Sequence, residues 1–194
     1  LAEYVEMFGQ GPKTTFNVKV KEDGSIDAIA DANTNFLLFN CLRLFFSNGG
    51  GDAYIVSVGN YDYKKGVDPT DLNSPGKGLD TLAREQEPTM ILCPDALLIE
   101  IDDCYSLYQD IIQHCGARMK SRIGVFDVYA GHSERYNDES TVDLFRNKIG
   151  NNSLAFGAVY YPWVNTTIVG PNEVDYRRVS NRDEFINALS EEAM

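Results

Sequence analysis

Residues Leu42 to Val58, LRLFFSNGGGDAYIVSV, carry an apolar helical segment through Asn48 and three glycines directly into a β-branched run. Glycine alone enters positive φ without steric cost, so this joint reads as a tight turn between a helix and a strand packed back to back. No residue of the stretch is an obvious catalytic group. The triplet precedes a strand rather than a helix, so no helix N-terminus is available there to hold an anion.

The rest of the chain extends this α/β pattern. Leu1 to Phe8 reads as a short helix ended by Gly9, with a turn forced by Gly11-Pro12. Phe16, Val18 and Val20 alternate with polar residues, and Glu22-Asp23-Gly24-Ser25 turns the chain back into Ile26, Ala28 and Ala30. Asn33 or Thr34 is the expected cap of a Phe36 to Phe46 helix that is apolar on nearly every side and therefore expected to be buried. Ala53 to Val58 reads as a strand, followed by a long surface loop over Gly59 to Gly78 without helical or strand period.

Thr89 to Cys93 is a short strand stopped by Pro94-Asp95. A helix follows from Asp102 or Asp103, carried by Cys104, Leu107, Tyr108, Ile111, Ile112 and Cys115 and ended by Gly116. Ile123 to Val128 is the next strand, Val142, Phe145 and Ile149 mark a helix capped near Ser140 and closed by Gly150, and Ala155 to Tyr160 is a further strand. Asn181 to Glu184 opens a last helix through Phe185, Ile186 and Leu189. The expected fold is α/β: a mixed, largely parallel sheet flanked by helices, with a β-hairpin-like edge and a long surface loop.

The 194 residues, 43% hydrophobic and 24% charged, suit one globular domain over 1–194. Leu1 in place of Met, entering a helix at once, points to a segment of a longer chain lacking terminal arms. The formal net charge of −12 opposes binding to nucleic acid or anionic lipid. The basic residues are scattered apart from Lys64-Lys65 and Arg177-Arg178. No apolar run reaches membrane-spanning length, since Asn40 and Arg43 interrupt the longest. Cys41, Cys93, Cys104 and Cys115 sit among apolar neighbours on expected helices or strands, which suits small hydrophobes in a reducing cytoplasm.

Chemistry has few candidates. Gly9 to Thr14 lacks the phosphate-loop spacing, follows a helix and carries Pro12 where a donor is needed. His114 and Cys115 are adjacent and face different sides of a helix, Cys115 inward and His114 at the rim, so no metal pair is formed. Asn151 and Asn165 match a glycosylation pattern too short to carry weight. The best enzyme hypothesis places a site at the strand ends near Asp95, Asp127 and Tyr160, where Tyr129 and His132 could gather. Tyr160-Tyr161-Pro162-Trp163 is either a core lid or an interface anchor.

Several of these stretches resemble, in order, the tail sheath proteins of contractile phage tails and contractile injection systems. They are Leu1 to Gly9, the Asn40 to Val58 helix, glycine turn and strand, Met90 to Pro94 with the following helix and Arg122 to Asp127, and Ala158 to Val164. The resemblance implies a structural subunit with no catalysis and no cofactor. Such subunits stack with copies of themselves as hexameric rings around an inner tube protein, between baseplate and terminator proteins, and contract to drive the tube into a target. Assembly in a bacterial cytoplasm, and a place in a virion or injection particle, follow from the same likeness. Subunit contacts are then expected at Lys64, Lys65, Tyr161, Trp163, Arg177 and Arg178, the cations meeting acidic patches of neighbours. An adaptor or baseplate protein of the same fold is the further alternative.

Overall fold

The computed structural model of the chain describes residues 1–73, 77–132, 140–170 and 172–192. Its architecture is mixed α/β, with a three-stranded parallel sheet and a separate two-stranded antiparallel sheet. The hairpin expected to edge the parallel sheet is thus a sheet of its own. Where one domain over 1–194 is expected, contacts divide the chain into two compact units whose segments alternate along the sequence.

The first unit comprises Leu1–Asn48, Tyr61–Gly66 and Thr166–Met194. Helix α1 spans Ala2–Phe8 and stops at Gly9, whose φ of 82° only glycine adopts readily. Strands β1 (Phe16–Val20) and β2 (Ile26–Ala30) pair antiparallel, with Val18 buried opposite Ala28. Helix α2 spans Leu38–Ser47 and is closed by Asn48 and by Gly49 at φ 83°. Phe36 is buried against the rings of Tyr61 and Tyr63, with centroids 4.6 and 5.9 Å away.

Two expectations about α2 are corrected. Leu37 occupies its N-cap with no side-chain bond; Ala32–Thr34 forms a 3-10 turn instead, and the Thr34 hydroxyl donates to the Asp31 carbonyl at 3.1 Å. Nor is the helix buried, since only Leu42 is covered while Leu44, Phe45 and Cys41 are exposed. An all-round apolar helix shows what could be covered; whether another element arrives is decided by tertiary packing.

The second unit comprises Gly49–Asn60 and Val67–Asn165. Its sheet runs β3 (Met90–Ile91), β4 (Ile123–Asp127) and β5 (Gly157–Tyr160) in spatial order, and both pairings are parallel as expected. Helix α5, Ile101–Gln113 in sequence and so numbered after the shorter α3 (Pro69–Asn73) and α4 (Gly78–Leu82), connects β3 to β4. Helix α6 (Thr141–Lys148) leads to β5, its first turn capped by Ser140 Oγ accepting from Asp143 N at 3.2 Å. In the first unit, α7 (Arg182–Glu192) closes the order; the side chain of Leu189 lies outside the described residues.

The core of the second unit is one face of the sheet under α5. The Phe126 and Tyr108 rings lie 4.4 Å apart, and Ile111, Ile112, Cys104 and Cys115 complete the buried layer. Two glycines permit that approach. A Cβ on Gly124 would come within 2.3 Å of the Phe126 ring and 3.0 Å of Ile111, and one on Gly157 within 3.2 Å of Phe126.

The remaining differences are local. No strand forms over Ala53 to Val58, because β-branched residues favour a half-buried surface and the ladder needs a partner that does not pair there. Within the loop over Gly59 to Gly78, of which 74–76 lie outside the described residues, α3 forms and α4 begins. Asp68 Oδ1 accepts from Thr70 N at 2.9 Å and Pro69 opens α3, a start signal that the loop reading passed over. Gly116 does not end the helix: a π-helical turn carries His114–Met119 onward to Lys120, at φ 58°. The short strand expected over Thr89 to Cys93 shrinks to two residues, and Cys93 precedes a 3-10 turn over Pro94–Leu98.

Substituting Gly124→Ala is expected to destabilise the second unit by about 1–3 kcal/mol through overpacking, read as a lowered denaturant midpoint.

Candidate functional site

The carboxyl ends of β4 and β5 are where an open parallel sheet would present a ligand site. Asp127 ends β4, and its register partner on β5 is Tyr160, 62% exposed. The Asp127 side chain is exposed, yet partial desolvation by its surroundings raises its carboxyl above the usual range. The other expected members do not join it. Tyr129 turns inward, its hydroxyl donating to the Ile99 carbonyl at 3.1 Å. Asp95 is half-buried in the 3-10 turn after β3, and His132 stacks on Trp163 with ring centroids 5.1 Å apart.

Trp163 is instead a clasp on the strand ends. Its indole Nε1 donates to the Val128 carbonyl at 2.9 Å, and its backbone N–H donates to Gly131 O at 3.1 Å. Gly131 makes room for it, since a Cβ there would fall 2.6 Å from the indole. Val128 N donates to Tyr160 O at 3.2 Å, which carries the β4–β5 ladder one residue past the strands. The peptide bond before Pro162 is cis, and Tyr161 is half-buried. Trp163 therefore serves the fold from within its own unit, whereas Tyr160 is the aromatic that faces outward.

The basic pairs lie in the first unit. Lys64 and Lys65 are exposed on a turn whose backbone is held by Asp62, and no ion pair of either lysine is found among the described residues. Arg177 is held by Asp175, which accepts its Nε at 3.2 and 3.0 Å; that bond keeps the Asp175 carboxyl below its ordinary value. Arg177 and Arg178 line a groove of about 540 Å³ together with Arg43 and Glu173. Arg43 spans Glu173 in a two-pronged pair at 2.7 and 2.8 Å. Two of the groove's three arginines are thus occupied by carboxylates of the same unit.

One polar cluster had no signal in the sequence. Arg122, 1% exposed, lies under the π-helical turn and donates to Leu82 O at 2.9 Å and to Glu85 O, while its Nη1 lies 3.2 Å from His114 Nε2. His114, expected at a rim, is buried at 5% exposure. Arg122 ties the carbonyls that end α4 to the end of α5, a task with no local pattern, because both partners lie far away in sequence. Arg122 Nε and His114 Nδ1 are buried without a partner among the described residues. Burial first, then the Arg122 and Arg118 charges, depress the His114 pKa, with Asp80 opposing.

The thiols are inert in character, since burial pushes Cys93 and Cys104 up to about 12 and Cys115 up to about 11. Cys41 departs from expectation by being exposed. No group of acidic, histidine or cysteine side chains fit to hold a metal ion occurs among the described residues, and no described helix is long and apolar enough to cross a membrane.

What the second unit does present is an apolar face. Strand alternation puts Met90, Ile123, Val125, Ala158 and Tyr160 on the side of the sheet away from α5, a face that is apolar but for Asp127 at its end beside Tyr160. Met90 is 59% and Ile123 40% exposed. Compared with known proteins, the chain matches no protein-family model and no curated relative.

A depressed His114 pKa favours the neutral ring in the fold. Its stabilising effect is complete above about pH 6.5 and lost as pH falls through the lowered value, with a slope of up to ~1.4 kcal/mol per pH unit. His114→Gln, which keeps an acceptor for Arg122 but does not titrate, is expected to flatten that slope in denaturation series from pH 7 to pH 4. Trp163→Phe removes one of the two donors to Val128 O, the Gly131 N–H remaining at 3.0 Å, and is expected to cost about 0.5–1.5 kcal/mol, measured by thermal unfolding.

Proposed function

We propose that the chain is a structural subunit of a contractile tail sheath, a brick that assembles with copies of itself in rings around an inner tube and does mechanical work by exchanging contacts. The observation that carries this reading is the uncovered apolar face of the parallel sheet, with Met90, Ile123 and Tyr160 exposed. Parallel sheets are stable when both faces are covered, and here α5 covers one. A subunit that meets neighbours through the other face satisfies that requirement in the assembled particle. The ordered likeness of Leu1 to Gly9, Asn40 to Val58, Met90 to Asp127 and Ala158 to Val164 to sheath proteins supports the same reading.

On this reading the work comes from packed interfaces with two stable arrangements, a device that turns small local shifts into large motion without a nucleotide. Neighbours in the particle are further copies, the tube protein, and the baseplate and terminator proteins at the ends. Assembly takes place in a bacterial cytoplasm, and the product is a virion or an injection particle. The exposed Lys64 and Lys65 are suited to pair with acidic surfaces of adjoining subunits, whereas Arg177 must first leave Asp175. The second reading, an enzyme, has one observation in its favour: the raised carboxyl of Asp127 at a strand end.

Negative-stain microscopy and sedimentation of the full-length protein separate the two. Rings or tubes are expected, and the pair Ile123→Asp and Tyr160→Ser is expected to leave a folded but unassembled subunit, judged by unchanged circular dichroism. A monodisperse small species for the unaltered protein overturns the proposal. Charge reversal at Lys64 and Lys65 is expected to weaken assembly most at low ionic strength, since exposed pairs are screened by salt.

A further inference from the structure

The groove that holds Arg43, Arg177 and Arg178 lies wholly within the first unit. One side is formed by Phe16 at the start of β1 and by Phe39 and Arg43 of α2, the other by the segment 172–178. That segment is fixed at both ends. Glu173 N donates to Gly170 O and Gly170 N to Glu173 Oε1, each at 3.0 Å, and Ser180 N donates to Phe16 O at 2.9 Å beside the Phe16–Val179 bridge. The wall of the groove is therefore held in place by the chain itself.

The three arginines are used unequally. Arg43 reaches from α2 to Glu173 with both Nη atoms, which ties the helix to the segment. Arg177 is bound by Asp175, whose carboxylate also accepts from Arg177 N at 2.8 Å and so opens the 3-10 turn Tyr176–Arg178. Both pairs belong to the wall. Arg178 ends the same turn half-buried, and its guanidinium makes no ion pair or hydrogen bond among the described residues; its backbone N–H alone is engaged, with Asp175 O at 2.9 Å. The Asp175 carboxylate feels the Arg178 charge, but its oxygens are bonded to Arg177.

A guanidinium presents five N–H donors in a planar fork, a shape that matches a carboxylate or a phosphate. The titratable groups lining the groove are the three arginines against Glu173 and Asp175, a surplus of one positive charge in a chain of net charge −12. Next to the lining in sequence, the exposed Lys13 and the Asp31 carboxylate, which accepts from the Thr15 hydroxyl at 2.6 Å, leave that surplus unchanged. The overall charge repels polyanions at a distance, so the groove selects a small anion held at contact range. Its volume of about 540 Å³ exceeds what a bare inorganic ion fills and suits a small molecule, and Pro12, Phe16 and Phe39 give it an apolar lining.

We propose that this groove is a binding site for a small organic anion, a carboxylate or phosphate monoester whose head pairs with Arg178 while its apolar body lies along Phe16 and Phe39. This inference stands on the first unit alone and does not depend on the sheath reading.

Calorimetric titration of the chain with benzoate, phenyl phosphate, benzamide and inorganic phosphate tests it. Saturable binding is expected for benzoate or phenyl phosphate, and the tighter of the two identifies the head group. Benzamide, which has the body without the charge, and inorganic phosphate, which has the charge without the body, should each bind about tenfold more weakly or worse. High salt should weaken the binding. Arg178→Gln is expected to lower the affinity about tenfold or more. Lys19→Gln, which removes the same charge from an exposed β1 residue outside the groove, should leave it unchanged. Asp175→Asn keeps an oxygen for Arg177 N and removes the competing carboxylate, so it should raise the affinity several-fold, a gain that a misfolded variant does not produce. No saturable binding of either organic anion, equal binding of benzamide or of inorganic phosphate, an equal loss in Lys19→Gln, or an affinity that neither Arg178→Gln lowers nor Asp175→Asn raises, overturns the proposal.

Discussion

The seating of α5 on the parallel sheet is the constraint from which the second unit follows. The helix presents Tyr108, Ile111 and Ile112 to β4 and β5, and those strands answer with Phe126 between two glycines. Glycine at 124 and 157 lets the backbone come close enough for the Phe126 ring to be covered by Tyr108 rather than by water. The Tyr108 hydroxyl then reaches the Asp127 carbonyl at 3.3 Å, so the same contact carries the strand to its end. Around it, Gln109 holds the end of α6 through Lys148 O at 2.6 Å, and Tyr105 fills the space toward Tyr129 and Phe145.

Burial in this protein is uneven, and the unevenness is informative. One side of the sheet is packed with aliphatic and aromatic side chains, while the other leaves Met90, Ile123 and Tyr160 to solvent. In the first unit, α2 leaves Leu44 and Phe45 exposed, and β2 leaves Ile26 and Ile29. Scattered apolar residues are common on surfaces, but an apolar face of a parallel sheet is a structural debt to some neighbour. The polar side chains are used the opposite way. Arg122, Asn181 and Trp163 each bond main-chain groups in place of a missing secondary-structure partner, and so close ends that would otherwise stay open. Among the described residues no such bond meets the outer edge of β2.

Functional candidates divide along the same line. Tyr129, His132 and Trp163 look available as a cluster at the strand ends, yet each is engaged with the fold: Tyr129 with Ile99 O, and His132 with the indole of Trp163. Asp127 and Tyr160 remain outward-facing on neighbouring strands, which is where an assembly surface and a catalytic edge would overlap.

Local order was readable in the amino-acid sequence wherever neighbours in the chain supply the interaction. The α5 stripe at spacings of three and four, the Ser140 cap, the Asp23-Gly24 turn and the alternation of β1 depend on residues a few positions apart, and each stands in the fold. The Asp68-Pro69 start of α3 was equally local and equally present. What no window of sequence contained was the arrival of a partner. Ala53 to Val58 has strand composition without a strand to pair with, α2 has an apolar circumference without a cover, and Arg122 finds its acceptors at Leu82 and Glu85. Propensity and periodicity are properties of short segments, so the chain by itself determined its helices, its hairpin and its parallel core. Which faces are closed, which side chains stand in for missing strands and which edges stay open are long-range facts, and only the tertiary structure decided them.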